Sequence, residues 1–212
     1  MKGIRLIIFD LDGTLIDAYP AIIESFNFTM LQLGYCARSP LEIRRAVGWG
    51  DENLLRPFLE KGDLKRAILI YRRHHKDSLI RSASLFPRTR RVLEYLKLKG
   101  YRLAVASNRP TRFSWILIRL LGLERYFDFV LCADKLRRGK PHPEILKIIM
   151  KRLSFLPRQT LYVGDMVIDA QAGRRAGIKT IIVTTGSSSR FEISRERPFK
   201  IIHKNTQLLR IL

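Results

Sequence analysis

The chain has 212 residues, 46% of them hydrophobic, enough for one sizeable core or for a core with a small insertion. No apolar run approaches the roughly 18–20 residues of a membrane span, and Cys36 and Cys132 stand far apart without metal-type spacing. Lys and Arg number 40 against 19 acids, a net charge of +21 that admits polyanion partners, but the basic residues are dispersed. They fall at Arg44-Arg45, Arg72-Arg73, Arg88 to Arg91, Arg137-Arg138 and Arg174-Arg175, with no single arm and no interleaved aromatic platform. The first apolar run starts so near the N-terminus that no signal peptide is expected, and because the two cysteines indicate no disulfide framework, a reducing cytoplasm is the expected setting.

Ile4, Leu6, Ile7, Ile8 and Phe9 predict a short strand buried on both faces, as in a parallel sheet. After Asp17 the spacing turns helical through Ile22, Ile23, Phe26, Met30 and Leu33, with Pro20 in the first turn. Ser39-Pro40 opens a second helix through Val47, and Gly48-Trp49-Gly50 predicts an elbow. Asp51 reads as the N-cap of a third helix carrying Leu54, Leu55, Phe58 and Leu59. Gly62-Asp63 starts a fourth, through Ile68, Tyr71, His75 and Leu79. A helical block between strands predicts an inserted helical cap domain, residues 17–84, on a core of residues 1–16 and 85–212. Its hinges are Ile16 to Tyr19 and the Ser82 to Pro87 turn.

From Pro87 the pattern alternates. A helix with Val92, Leu93 and Leu96 leads to strand Leu103 to Ser107, helix Thr111 to Leu121 and a strand at Phe129, Val130 and Leu131. Helix Pro143 to Leu153, strand Leu161 to Val163, helix Ile168 to Ala176 and strands Ile181 to Val183 and Phe199 to Ile202 complete it. Such alternation predicts an α/β fold, a Rossmann-like parallel sheet core flanked by helices. Gly186 to Arg197 reads as an exposed loop.

The chemistry gathers at the ends of these strands. The first stops in Asp10 and Asp12, followed by Gly13 and Thr14, and acids at the carboxyl end of a buried parallel strand lie where open α/β sheets bind ligands. Two such carboxylates repel unless a cation or a shared proton intervenes, and a hard, oxygen-bound metal such as magnesium (Mg2+) suits them. Gly13 lets backbone amides approach an anion. Ser107-Asn108 ends a second strand and offers a hydroxyl and amides to a phosphate oxygen; Ser and Asn are also common turn residues. Lys140, before Pro141, can present a point charge, whereas His142 reads as a loop residue. Gly164-Asp165 ends a third strand, and Asp169 follows about one helical turn later, so both acids can face one point.

F-D-L-D-G-T-L at Phe9 to Leu15, then Ser107, Lys140 and G-D-x-x-x-D at Gly164 to Asp169, resemble in order the four signatures of the haloacid dehalogenase-like superfamily of aspartate-nucleophile phosphohydrolases. The helical insert, Leu85-Phe86-Pro87 and G-K-P-H-P-E are similar to its phosphoglycolate phosphatase-like members, although Arg88 stands where those usually carry glycine. The resemblance implies a magnesium-dependent phosphatase for a small phosphate monoester, with Asp10 as nucleophile and Asp12 as acid and base. Asp10, Asp165 and the backbone carbonyl of Asp12 hold the metal in that pattern, with Asp169 behind them. Ser107, Asn108, Lys140, Gly13 and Thr14 bind the phosphate. Arg44, Arg45, Trp49 and Arg56 are the cap candidates for contacting the leaving group. The expected partner is a small phosphorylated metabolite, with no membrane, in a monomer or weak dimer. A β-phosphoglucomutase-type mutase, or a basic nucleic-acid-binding protein on the same fold, are the alternatives.

Overall fold

The computed structural model describes residues 3–212. Strand β1 (Leu6–Phe9) is buried along its whole length and lies at the centre of the sheet. The partner strands are β4 (Arg102–Ser107), β5 (Phe129–Cys132), β6 (Thr160–Gly164), β7 (Lys179–Val183) and β8 (Lys200–Ile202). All run parallel, in the order β5-β4-β1-β6-β7-β8. Phe9 is in register with Val105 of β4 on one side and Val163 of β6 on the other, which brings the residues just beyond all three strands to one edge. The chain order reverses direction at β1, and that switch point opens the crevice.

Alternate residues of β1 enter opposite layers, as the two-residue period of a strand requires. Ile7 and Phe9 join Val92, Leu93 and Leu96 of α5 (Thr89–Leu98) and Phe113 and Leu117 of α6 (Thr111–Leu120). Leu6 and Ile8 face Ile145 and Ile149 of α7 (Glu144–Leu153) and Ala172 and Ala176 of α8 (Val167–Ala176). Each such fully buried Leu, Ile or Phe contributes roughly 1.5–3 kcal/mol, so the central strand is anchored from both sides.

Between β2 (Ile16–Asp17) and β3 (Ser84–Leu85), which pair antiparallel, the chain is helical: α1 (Tyr19–Gln32), α2 (Pro40–Ala46), α3 (Asp51–Leu55) and α4 (Leu64–Ser82). Ser39 caps α2 by accepting from the Glu42 amide, while Glu42 reaches back to the Ser39 amide. Asp51 is not the N-cap of α3. Gly50 holds that position at φ 87°, and Asp51 instead pairs with Arg72 of α4 at 2.8 Å. The segment expected as a loop after Gly186 contains helix α9 (Arg190–Arg195), capped by Ser189 and Glu192. Among the described residues no helix is long and apolar enough to cross a membrane.

Arg88 precedes α5 with φ 65°, a left-handed conformation that crowds any side chain against its own backbone. Arg88→Gly is expected to stabilise the protein by about 1 kcal/mol, read as a rise in Tm of roughly 2–4 °C. A fall in Tm would mean that the Arg88 side chain contributes more than its backbone costs.

Candidate active site

Three strand ends and one loop converge at the crevice. Asp10 leaves β1 with its amide bonded to the Val163 carbonyl at 2.9 Å, and its carboxylate is almost fully buried. Lys140 Nζ reaches Asp10 Oδ1 at 2.8 Å, Asp169 Oδ1 at 2.8 Å and the Tyr162 hydroxyl at 3.0 Å. Tyr162 donates its hydroxyl proton to the same Asp169 oxygen at 2.6 Å, and Asp169 Oδ2 accepts from the amides of Asp165 and Met166. Asp169's bonds are therefore spent on holding Lys140, Tyr162 and the turn after β6.

Asp165 is held differently. Its Oδ1 accepts from Thr14 Oγ1 at 2.9 Å, while Oδ2 is buried without a hydrogen-bond partner. Carboxylate oxygens of Asp10, Asp165 and Asp169 lie within 4.8 Å of one another. Burial pushes the Asp10 carboxyl up to about 7 against the pull of Lys140, and burial together with Asp169 and Asp10 holds Asp165 well above the usual range. Burial alone would lower Lys140; Asp10 and Asp169 outweigh it and keep the ammonium charged. One lysine cannot neutralise three buried carboxylates, and an orphaned carboxylate oxygen in such a place is costly. Asp10 and Asp165 thus fit a hard divalent cation.

Two glycines shape the grip on Asp165. A Cβ on Gly13 would lie 2.2 Å from Asp165 Oδ2, and one on Gly186 would lie 1.8 Å from it. Gly13 also has φ 78°, and its carbonyl accepts from the Thr185 hydroxyl. Gly186→Ala is expected to displace the Asp165 carboxylate and weaken binding of a divalent cation by about 10-fold or more, measured by calorimetric titration with magnesium. Unchanged affinity would show that this carboxylate is not a ligand.

Other residues singled out in the sequence sit in unexpected partnerships. The Gly13 amide is spent on the Ile16 carbonyl at 2.9 Å, and Thr14 supports Asp165 instead of facing the cleft. Ser107 is buried and lines the cleft, accepting from the Arg109 amide at 3.1 Å. The Asn108 side chain bridges Gly48 of the elbow to the backbone of Lys140, so only its backbone is left for an anion. The Asp12 carboxylate is not with the other acids: Arg109 Nε and Nη2 hold it at 2.7 and 3.0 Å.

The helical segment lines a narrow cavity of about 60 Å³ with Tyr19, Ile22, Val47, Leu54 and Tyr71. None of the four expected cap residues is among them. Arg44 lies over the Tyr19 ring at 4.0 Å and donates to the Thr185 carbonyl, and Arg56 pairs with Glu52 at the surface. Arg45 and Trp49 line a separate, wider groove beside Arg174 and Arg195. Sequence reasoning missed Arg109, His75 and Tyr162. Arg109 had a signal, as a charged residue immediately after a strand-end Ser-Asn. His75 and Tyr162 fall in apolar periodic stretches and read as core.

Residues 7–183 match the family model described as haloacid dehalogenase-like hydrolase. The chain belongs to that family. Among relatives of the haloacid dehalogenase-like hydrolases, a phosphoglycolate phosphatase of Cupriavidus necator is 34% identical over 186 residues, covering 85% of this chain and 80% of that protein. One from Haemophilus influenzae is 30% identical over 220 residues, with 98% of each covered. The crystal structure of a predicted phosphoglycolate phosphatase from Haemophilus somnus superposes with a TM-score of 0.95 at 26% identity, covering 100% of this chain and 99% of that one.

Proposed function

We propose that this haloacid dehalogenase-like hydrolase is a magnesium-dependent phosphatase acting on a small phosphate monoester of the phosphoglycolate type, through an aspartyl-phosphate on Asp10. The observation that carries the reading is the Asp10 carboxylate, set at the end of the central strand beside Lys140 and opening into a cavity shared with Asp12 and Ser107. The similarity to phosphoglycolate phosphatases supports the substrate class.

Asp10, Asp165 and the Asp12 carbonyl would hold magnesium, which supplies charge neutralisation at the transferring phosphate when bound. Asp10 attacks phosphorus as the bond to the leaving oxygen breaks, and Asp12 gives that oxygen its proton. Asp12 then takes a proton from the water that cleaves the aspartyl-phosphate. Lys140 and the Ser107 hydroxyl stabilise the charge on the phosphoryl oxygens. Residues 17–84 act as a cap over the core of residues 1–16 and 85–212, excluding water from the reacting atoms. The free thiols of Cys36 and Cys132 accord with a cytoplasmic setting.

Phosphate release from a panel of small phosphate esters, with magnesium and with chelator, tests the proposal. Magnesium-dependent release ranked in favour of small esters is expected. No release from any ester would overturn it and turn attention to phosphoryl transfer between sugars.

A further inference from the structure

Arg109 follows the end of β4 by two residues, and its buried guanidinium lines the same cavity as Asp10, Ser107 and Lys140. Nε and Nη2 each donate to one oxygen of Asp12, and Nη1 lies 2.8 Å from His75 Nε2 on α4. Burial and Arg109 pull His75 down to about 2, so the ring is neutral. Nε2, facing an N–H donor, is therefore its acceptor, and Nδ1 carries the proton 3.1 Å from Ser25 Oγ. The ring is wedged between Tyr71, stacked at 4.7 Å, and the edge of Phe113 at 5.3 Å. The inserted helices thus fix one arm of the guanidinium while its fork grips the acid of the core.

With both Asp12 oxygens occupied by guanidinium N–H groups, neither is turned to an ester oxygen. A guanidinium fork fits any carboxylate equally well by shape. The walls around it are mostly apolar, and the acid there besides Asp10 and Asp12, Asp51, is held by Arg72. Lys140 and Arg109 are the cations that line the cavity among the described residues, and Lys140 is committed to Asp10 and Asp169.

We propose that Arg109 is a specificity-determining residue that exchanges carboxylates: an anionic leaving group takes the fork from Asp12, and the released Asp12 turns to the ester oxygen. His75 keeps Nη1 engaged, so the guanidinium pivots in place. A neutral leaving group leaves the fork on Asp12 and the acid tied. Freed from the guanidinium, the Asp12 carboxylate takes a proton from solvent and gives it to the leaving oxygen as the P–O bond breaks. It regains one from the attacking water and returns it to solvent on re-pairing with Arg109, so a turnover consumes nothing besides ester and water. This inference rests on the phosphatase reading and adds to it the charge on the leaving group and the residue that senses it.

The test compares kcat/KM for 2-phosphoglycolate and 2-hydroxyethyl phosphate, which share a two-carbon leaving group and differ in its carboxylate. Wild type is expected to favour the carboxylate ester by about 100-fold or more. Arg109→Met should bring that ratio near one, with most of the loss on the anionic ester. Arg109→Lys, which keeps the charge but not the fork, should give an intermediate ratio and guards against misfolding of the first variant. A wild-type ratio near one overturns the role of Arg109 and leaves the phosphatase reading standing. An equal fall for both esters in folded Arg109→Met, with the ratio preserved, overturns it as well. Release from neither ester by wild type overturns both readings.

Discussion

Asp10→Asn is expected to reduce magnesium-dependent phosphate release by at least about 10,000-fold, as removal of a covalent nucleophile does in other hydrolases. The amide has nearly the shape of the carboxylate and can still meet Lys140, so the crevice keeps its geometry while losing the atom proposed to bond to phosphorus. Release above one-hundredth of the wild-type rate would move the nucleophile away from Asp10.

The same substitution carries a second, opposite signature in stability. In the metal-free protein burial pushes the Asp10 carboxyl up to about 7, above the ordinary value of 3.8 of an unfolded chain. A raised acid pKa means that the folded state binds more protons than the unfolded state across this window. Stability from this group is therefore intact below about pH 4 and is lost as the pH climbs through about 7. Asp10→Asn removes that loss. In chelator the variant should melt above wild type at pH 8 and with it at pH 4, and magnesium should raise the wild-type Tm more than the variant's at pH 8. A variant that melts below wild type at pH 8 would show that the Lys140 pair outweighs the burial of the acid.

The fold was legible because its signals are local. Buried strands such as Leu6–Phe9 show as short β-branched runs, and the helices between Tyr19 and Ser82 show a helical period with caps such as Ser39. The parallel register did the rest, since it gathers Asp10, Ser107 and Asp165 once each is seen to end a strand. What stayed hidden depends on pairings distant in sequence. Nothing near Arg109 says that it grips Asp12, 97 residues away, and nothing near Gly186 says that it packs on Asp165. Gly13 and Asn108 carried the right residue types, but their donors go to Ile16, Gly48 and Lys140. A type suited to an anion is equally suited to a turn, and only the tertiary contacts separate the two.

Lys140→Met is expected to lower both turnover and stability. Lys140 is buried, and its ammonium is bonded to Asp10, Asp169 and Tyr162. Methionine fills much of the same volume, so the loss is mainly of charge. Breaking a buried pair while its acids remain costs about 3–5 kcal/mol, or roughly 10 °C in Tm for a chain of this size. Turnover should fall by roughly 1,000-fold, because the fixed cation proposed to stabilise the transferring phosphate is lost. Adding Asp169→Asn to Lys140→Met separates these effects. The double variant removes one of the stranded acids, so it should recover part of the Tm and none of the turnover. Recovery of turnover would place the function of Lys140 in neutralising Asp169 alone. Absence of any Tm recovery would place its structural role in packing, with the carboxylates relieved by taking up protons instead.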